Sequence, residues 1–246
     1  MLTSLTLEGW KSFGKDRGRS ELMFAPLTLL VGPNASGKSN ALDALRFLQG
    51  AALDYPLGDV LRGRWEGQRE IWPAIRGSVV EAAHVGRTSF KLTSTWMLDG
   101  QEVEHKIAVS TLGDVTLDGE RLSLGGYLFD THASALRDSA GRDKGGGIRA
   151  ALRRRGKGKS VILTYSSLRS LLGQIEDRES VISAVPLVSQ LLRRALRAAV
   201  FLDIQPAVMR EYRPQNGGHL GSSGENISPV LAALSRDELA DVVDWL

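Results

Sequence analysis

A glycine-rich segment near the start of this chain separates two different residue patterns. The apolar run LTLLV occupies residues 27–31, GPNASGKS follows at 32–39, and apolar residues then recur at helical spacing over 41–48. A short run that is apolar throughout predicts a strand buried on both faces. The periodic stretch predicts a helix that ends at Gly50. A strand, a glycine loop and a helix in this order predict an α/β fold with a phosphate-binding turn.

Gly32, four further residues, and then Gly37, Lys38 and Ser39 match every fixed position of the P-loop pattern. The two glycines let the backbone turn without a Cβ, so that N–H groups point inward at a phosphate. We expect Lys38 to bind the β- and γ-phosphates of a nucleoside triphosphate and Ser39 to ligate Mg²⁺. The other loop residues of the predicted site are Pro33, Asn34, Ala35, Ser36 and Asn40. A turn that serves packing alone is the weaker interpretation, because the complete motif lies in the expected context.

Composition places the chain among soluble globular proteins. Of its 246 residues, 42% are apolar and 24% are charged, which is ordinary for a folded protein. The absence of cysteine excludes disulfides, thiolate metal sites and a cysteine nucleophile, and it fits a reducing cytoplasm. Charges interrupt every apolar stretch before the roughly 18 residues that a membrane span needs, so we expect no membrane insertion. The net charge of +3 only mildly favours a polyanionic partner.

The residue pattern changes after the P-loop helix. Residues 57–138 predict an antiparallel β lobe, because alternating apolar residues flank Asp99-Gly100, a dipeptide suited to a tight hairpin turn. Asp118-Gly119 repeats the dipeptide and predicts a second turn.

Composition also separates the remaining parts of the chain. Residues 139–160 are rich in glycine and basic residues and predict a mobile loop or the frayed end of a helix. The segment 161–246 shows helical spacing at 181–196, where Pro186 marks a kink or a late start, and twice more near its end. Residues 1–56 form the N-terminal part of the predicted P-loop core.

The opening LTLEGWKSFG and the later LTLLVGPNASGKSNALDALRFLQG resemble the N-terminal segment of ABC-type ATPases. The likeness is to the structural-maintenance-of-chromosomes (SMC), RecF-type and predicted anti-phage AAA ATPases, including abortive-infection and OLD-like proteins. Two later stretches, FLDIQPAVMREYRP and GSSGENISPVLAAL, also look like the predicted-ATPase group. The resemblance implies that the nucleotide is ATP and that Lys11-Ser12-Phe13 lies near it, which adds Lys11 and Ser12 to the expected site. It also implies a head that closes on ATP as a homodimer or with a partner chain.

These patterns together predict an α/β P-loop NTPase fold of the ABC-type head kind. We expect a mainly parallel core, an antiparallel β sub-lobe and C-terminal helices.

Two motifs that the resemblance implies, an LSGGQ-like signature and a Walker B strand ending in Asp-Glu, have no convincing copy in the chain. LSLGG at 122–126 is close to a signature, but it follows a hairpin signal and is better interpreted as a strand and a turn. AVFLD at 199–203 resembles a Walker B strand, but Ile204 stands where the glutamate is expected. A metal role for Asp203 is therefore the minor interpretation, and the catalytic base stays unassigned.

The functional prediction is an ATP-binding AAA or ABC-type ATPase that is an N-terminal piece of a longer chain. It would couple ATP binding and hydrolysis to head dimerisation in DNA maintenance or anti-phage defence. The alternative is a nucleotide-gated scaffold or regulatory subunit that binds ATP without significant turnover, because phosphoryl transfer also needs a positioned water. A small-molecule phosphotransferase would share the P-loop, but no acceptor pocket is evident.

A cluster of basic residues in the glycine-rich segment is suited to DNA, because each neutralised phosphate releases counterions. The cluster consists of Arg149, Arg153, Arg154, Arg155, Lys157 and Lys159. A solvated loop explains these charges equally well, so DNA contact stays an open alternative. The four histidines have no metal-ligand spacing, and we expect no histidine metal site.

Overall fold

The computed structural model describes residues 1–14, 20–132, 147–154, 160–175, 185–202, 206–210, 220–221 and 223–244. Contacts between residues divide the chain into two compact units, Met1–Ala198 and Ala199–Leu246. The division of the chain into four segments stays a prediction.

The first unit is a mixed α/β structure, as predicted. Its described strands are β1 (Leu2–Glu8), β2 (Ser20–Met23), β3 (Arg64–Glu66), β4 (Arg69–Trp72), β5 (Ser89–Leu98), β6 (Gln101–Ser110), β7 (Thr116–Ser123), β8 (Tyr127–Asp130), β9 (Gly147–Leu152) and β10 (Val161–Ser166). Its described helices are α1 (Lys38–Ala52), α2 (Leu57–Arg62), α3 (Val79–Ala82), α4 (Leu171–Gln174) and α5 (Val185–Arg197). Eight strands form one sheet in the order β10-β9-β8-β7-β6-β5-β1-β2, while β3 and β4 pair with each other.

The mainly parallel core predicted from the sequence is wrong for the described strands, because every neighbouring pair is antiparallel. Residues 27–31, which we expected to form a buried strand, pair with no described strand. Leu27, Leu29 and Val31 are 80%, 78% and 89% exposed, whereas Leu30 packs against the core. The segment thus has one packed face and one bare face. A strand becomes buried on both faces only when neighbouring elements cover it, and the described part of this chain supplies a cover for one face.

Two tight-turn predictions had different outcomes. Asp99 and Gly100 form the turn between β5 and β6 with φ values of 47° and 74°, which confirms the first. The second is wrong, because Gly119 lies inside β7 opposite Ala108, next to a register shift in the β6–β7 pairing. A Cβ on Gly119 would overlap the ring of His132. Glycine at 119 therefore lets this ring lie close to β7, and it is not part of a turn.

The glycine-rich segment at 139–160 is only partly what we predicted. Residues 147–152 form β9, which pairs with both β8 and β10. Ile148, Ala150 and Leu152 are buried, and this alternation is the strand signal that the glycine and arginine content obscured. Residues 139–146 and 155–159 lie outside the described part of the chain.

Other predicted elements agree with the structure. LSLGG at 122–126 is the end of β7 followed by a turn with two positive-φ glycines, as the strand-and-turn interpretation required. Helix α5 (Val185–Arg197) confirms the helical spacing within the described residues, with Pro186 near its start; the choice between a kink and a late start stays a prediction. Residues 181–184 lie outside the described residues.

The core lies between α1 and the inner face of the large sheet. Trp10, Phe47 and Phe90 meet there with ring centroids 4.7 to 5.8 Å apart, and Trp10 and Phe47 are fully buried. Tilted and edge-to-face aromatic pairs of this kind each contribute about 0.5–1.5 kcal/mol beyond the area that they bury. The cluster holds α1, the helix that follows the glycine loop, firmly on β1 and β5.

A second anchor is a buried carboxylate on β7. Glu120 accepts hydrogen bonds from His105 Nε2 at 2.7 Å and from Ser170 Oγ at 2.7 Å. It also accepts from the backbone N–H groups of Leu171 at 2.6 Å and Leu172 at 3.3 Å. All four donors are in the interior, so this single side chain fixes the start of α4 to the sheet.

The second unit contains α6 (Pro206–Met209), α7 (Ile227–Ala232) and α8 (Arg236–Asp244) in its described residues. The last two confirm the helical patterns predicted near the end of the chain. Asp203 lies outside the described residues. Within the described parts of both units, no helix has the length and apolar character needed to cross a membrane.

Candidate functional site

The glycine loop enters α1 through two residues with left-handed backbone. Ala35 has φ 65°, and Gly37, the residue before the first helical position, has φ 95° and ψ 0°. Alternating backbone of this kind turns successive N–H groups toward one point and favours an anion there. A Cβ on Gly37 would lie 2.8 Å from Cζ of Phe13. Glycine is therefore required at 37 by both the backbone conformation and the aromatic ring above it.

The N-terminus of α1 carries positive charge without a local partner. The helix is 15 residues long, no side chain caps its N-terminus, and no acidic residue occupies its first turn. The first N–H groups of a helix have no partner inside the helix, and the helix dipole adds partial positive charge at the same end. This arrangement suits a phosphate.

Lys38 extends back over the loop. Its Nζ donates to the carbonyl oxygens of Gly32 at 2.6 Å and Pro33 at 2.8 Å, and it lies 3.4 Å from Ser36 Oγ. Residues 32–36 are exposed, so the ammonium group lies at an accessible mouth of the loop. The structure thus brings Gly32, Pro33, Ser36 and Lys38 together, with Asn34 and Ala35 between them in the chain.

The connection after β1 lies against the first turn of α1. Trp10 Nε1 donates to the carbonyl oxygen of Asn40 at 2.7 Å, and Asn40 Nδ2 donates to Ser12 Oγ at 2.7 Å. Lys11 and Ser12, which the resemblance places near the nucleotide, are therefore close to the predicted loop residues. Ser39 is exposed beside them.

A cavity of about 440 Å³ adjoins this side of the loop. Its walls include Lys11, Ser12, Ser39 and Asn40 from the predicted site, and Arg76, Gly77, Glu81, Ala83, His84 and Val85 from the segment between β4 and β5. The cavity joins residues that are far apart in the sequence, and its walls carry both cations and hydroxyl groups.

Two hydrogen bonds fix the wall that the second segment supplies. His84 Nδ1 lies 2.7 Å from the carbonyl oxygen of Lys11; because a carbonyl only accepts, this nitrogen is the protonated one. Glu81 accepts from the backbone N–H of Ser78 at 2.6 Å in a capping box. That backbone hydrogen bond, followed by one from the Ser78 side chain, lowers the pKa of Glu81 from its ordinary value of 4.5.

A buried carboxylate links the two walls. Asp43 on α1 is 1% exposed and forms ion pairs with Lys11 Nζ and with Arg76 Nη2, the latter at 3.1 Å. Arg76 Nη2 also donates to the carbonyl oxygen of Ser39 at 3.1 Å. Arg76 is therefore in contact with the P-loop helix at the residue predicted to ligate the metal.

The sequence analysis did not identify Asp43, Arg76 or His84. A signal existed for Asp43, because it is a charged residue one turn before Phe47 on the apolar side of α1. Arg76 and His84 lie in a segment without periodicity, and only the packing of that segment on α1 reveals them. Asp203 and the basic residues 155, 157 and 159 lie outside the described residues.

Comparison with known proteins agrees with the geometry of this loop. Residues 27–91 match the model of a family described as "AAA domain, putative AbiEii toxin, Type IV TA system". The P-loop segment of this chain is thus similar to that of an AAA domain.

Its relatives include the chromosome partition protein Smc of Mycolicibacterium paratuberculosis, of Mycobacterium leprae and of Mycobacterium tuberculosis, each 52% identical over 50 residues. These matches cover 20% of this chain and 4% of each Smc protein. A solved structure from work on ATP-driven dimerisation and DNA-stimulated activation of SMC ATPases is 22% identical, with a TM-score of 0.35. That match covers 51% of this chain and 69% of the other. The chain is therefore similar to Smc proteins over 50 residues and to an AAA domain over residues 27–91.

Proposed function

We propose that this chain binds ATP with Mg²⁺ at the loop 32–39 and serves as the P-loop part of an ATPase. The observation that carries the proposal is the convergence of three features at one point. These features are the uncapped N-terminus of α1, the left-handed Gly37 and the ammonium group of Lys38. Phosphate oxygens are charged acceptors and bind an ammonium more strongly than the carbonyl oxygens that Lys38 contacts here.

The residues around the loop suit the rest of the nucleotide. Ser39 offers an exposed hydroxyl beside the loop, and a hard oxygen ligand of this kind suits Mg²⁺ shared with phosphate oxygens. When bound, the metal would neutralise charge on the phosphates. The adjoining cavity, with Lys11 and Ser12 on one wall and Arg76 on the other, would receive the part of ATP that extends beyond the loop.

The bare face of residues 27–31 supports a head that further polypeptide completes. Three large apolar side chains on this face, Leu27, Leu29 and Val31, are at least 78% exposed immediately before the loop. Exposed apolar patches in a folded protein commonly mark a surface that another element covers. We propose that a strand from further polypeptide covers this face, and that the missing catalytic base and signature belong to the same polypeptide.

The wider role follows from the relatives. Their names combine chromosome partition and a toxin system, so we propose ATP-driven association of heads in a cytoplasmic DNA-maintenance or anti-phage complex, with DNA as a candidate partner. The alternative is a scaffold or regulatory subunit that binds ATP without significant turnover. The absence of an assigned base favours this alternative for the chain in isolation.

Equilibrium binding of Mg²⁺·ATP to the full chain and to Lys38→Ala tests the proposal. We expect the substitution to abolish measurable binding, because it removes the charge that meets the phosphates. Lys91→Ala is the matched control, because this lysine is 43% exposed and pairs with Glu8 on the sheet, far along the chain from the loop. Equal ATP affinity in the wild type and Lys38→Ala would refute the site.

Phosphate release in the same samples, with and without DNA, separates the two roles. Negligible release from the isolated chain that increases when further polypeptide is supplied would support the ATPase part. Binding without release under every condition would support the scaffold.

A further inference from the structure

Asp43 has an unusual position for a carboxylate. It lies on α1 one turn after Ser39, is 1% exposed, and accepts from cations on two different segments. Its Oδ2 pairs with Lys11 Nζ, and its Oδ1 accepts from Nε and Nη2 of Arg76 at 3.4 and 3.1 Å. A buried charge is tolerated when it is paired and hydrogen-bonded, and here one anion satisfies two cations.

The two cations, Lys11 and Arg76, differ in how accessible their charged groups are to a ligand. The Lys11 side chain is 8% exposed, and its Nζ also donates to the carbonyl oxygen of Arg76 at 2.7 Å. The Arg76 side chain is 60% exposed on the cavity wall. One carboxylate with two cations leaves a net positive charge, and that charge is on the accessible guanidinium.

The guanidinium is also held in one orientation. Nε and Nη2 are occupied by Asp43, and Nη2 also donates to the Ser39 carbonyl oxygen. Within the described part of the chain, the remaining nitrogen, Nη1, has no hydrogen-bond partner. A guanidinium held in this way can present the N–H groups of Nη1 to a phosphate in a fixed orientation, whereas the flexible ammonium of a lysine is not oriented in the same way.

We infer that Asp43 is a positioning residue that holds the Arg76 guanidinium beside Ser39 so that it binds a phosphate group of the nucleotide. This inference rests on the proposed function and adds to it a second phosphate contact, from a segment outside the P-loop. Asp43 itself does not touch the ligand; it acts through Arg76. Lys11 supports the same arrangement by anchoring both Asp43 and the backbone of Arg76.

The test is a double-mutant cycle on the dissociation constant for Mg²⁺·ATP, with wild type, Asp43→Asn, Arg76→Gln and the double variant. We expect each single substitution to weaken binding about tenfold, as for loss of a hydrogen bond to a charged group. The double variant should be no weaker than Arg76→Gln alone. Arg76→Lys keeps the charge but loses the fixed orientation of the guanidinium, and we expect it to bind almost as weakly as Arg76→Gln. Arg121→Gln, which removes a surface arginine that pairs with Asp130 at 3.6 Å, should bind ATP normally.

The outcomes separate the two proposals. A wild-type chain that does not bind ATP would refute the proposed function itself. ATP binding that Arg76→Gln leaves unchanged would overturn the inference and leave the P-loop site intact. An Asp43→Asn effect of equal size in both Arg76 backgrounds would also overturn it, because Asp43 would then act by supporting the fold alone.

Asp43→Asn leaves the nearly buried Lys11 without its carboxylate partner, so folding of the variant has to be measured by thermal melting. If it does not fold, the same cycle is measured with Lys11→Met in all four proteins, which removes the stranded cation. All four proteins should bind more weakly in that background, because Lys11 lines the site. The predicted difference between them remains: loss of the carboxylate should weaken binding only when Arg76 is present.

Discussion

The most direct test of the fold is Glu120→Ala, because this substitution removes the acceptor for four interior donors. These donors are His105 Nε2, Ser170 Oγ and the N–H groups of Leu171 and Leu172. A buried donor left without a partner costs about 1–3 kcal/mol, although the four costs overlap because the space can relax. Removing one member of a buried charged network typically costs about 3–5 kcal/mol. We therefore expect the free energy of unfolding to fall by about 3–5 kcal/mol.

That loss is large against the total stability of a folded protein, which is about 5–15 kcal/mol. For a chain of this length, each kcal/mol lowers Tm by roughly 2–4 °C, so the expected decrease is roughly 6–20 °C. Thermal and urea unfolding followed by circular dichroism measure both quantities. Glu120→Gln should fall between wild type and Glu120→Ala, because the amide keeps one acceptor oxygen.

Glu104→Ala is the matched control on the outer side of the same sheet. Its carboxylate is 34% exposed and pairs with Lys106 at 2.8 Å. Exposed pairs contribute about 0–1 kcal/mol, so Tm should change little. If Glu120→Ala were as stable as Glu104→Ala, the carboxylate would not anchor α4 and this account of the core would be refuted.

Two further predictions concern glycine 37 and glutamate 81. Gly37→Ala should abolish or strongly weaken ATP binding and lower the free energy of unfolding by more than the about 1–2 kcal/mol of left-handed strain, because the new methyl meets Phe13. Gly67 has φ 62° and open space around it, so Gly67→Ala should lose only the stability that corresponds to left-handed strain. Equal decreases in the free energy of unfolding for Gly37→Ala and Gly67→Ala would contradict the packing argument. The carboxyl carbon of Glu81 should titrate below 4.5 by NMR, and Ser78→Ala should return the midpoint toward 4.5. Because the pKa of Glu81 is lower in the folded protein, its hydrogen bonds stabilise the fold at pH values above the unfolded-state pKa. This stabilisation disappears as the pH falls through the folded-state pKa. A titration midpoint at or above 4.5 would contradict the prediction.

The conformation of the glycine loop before α1 could be predicted from the sequence because it depends on neighbours in the chain. Gly32, Gly37 and Lys38 act within one turn of backbone, so their spacing carries nearly all the geometry that the loop needs. The same holds for the Asp99-Gly100 hairpin and for α1, where local conformation and periodicity decide the result.

Predictions that required knowledge of neighbouring elements had mixed outcomes. LTLLV at 27–31 has the composition of a strand buried on both faces, yet one of its faces is bare, because apolar composition cannot say which element will cover it. Asp118-Gly119 has the composition of a turn, yet the ring of His132 determines the role of its glycine. In both cases the sequence contained the local pattern, but contacts with other parts of the fold determined which structure formed there.

The sequence by itself therefore determined the glycine loop at 32–39 and the helix behind it, since both are properties of contiguous residues. The tertiary structure decided the antiparallel order of the large sheet and the meeting of Lys11, Asp43 and Arg76 around one cavity. Charge pairing in the interior depends on distance through space, and residues 32 or 33 positions apart reach that distance only after the sheet and α1 have packed together.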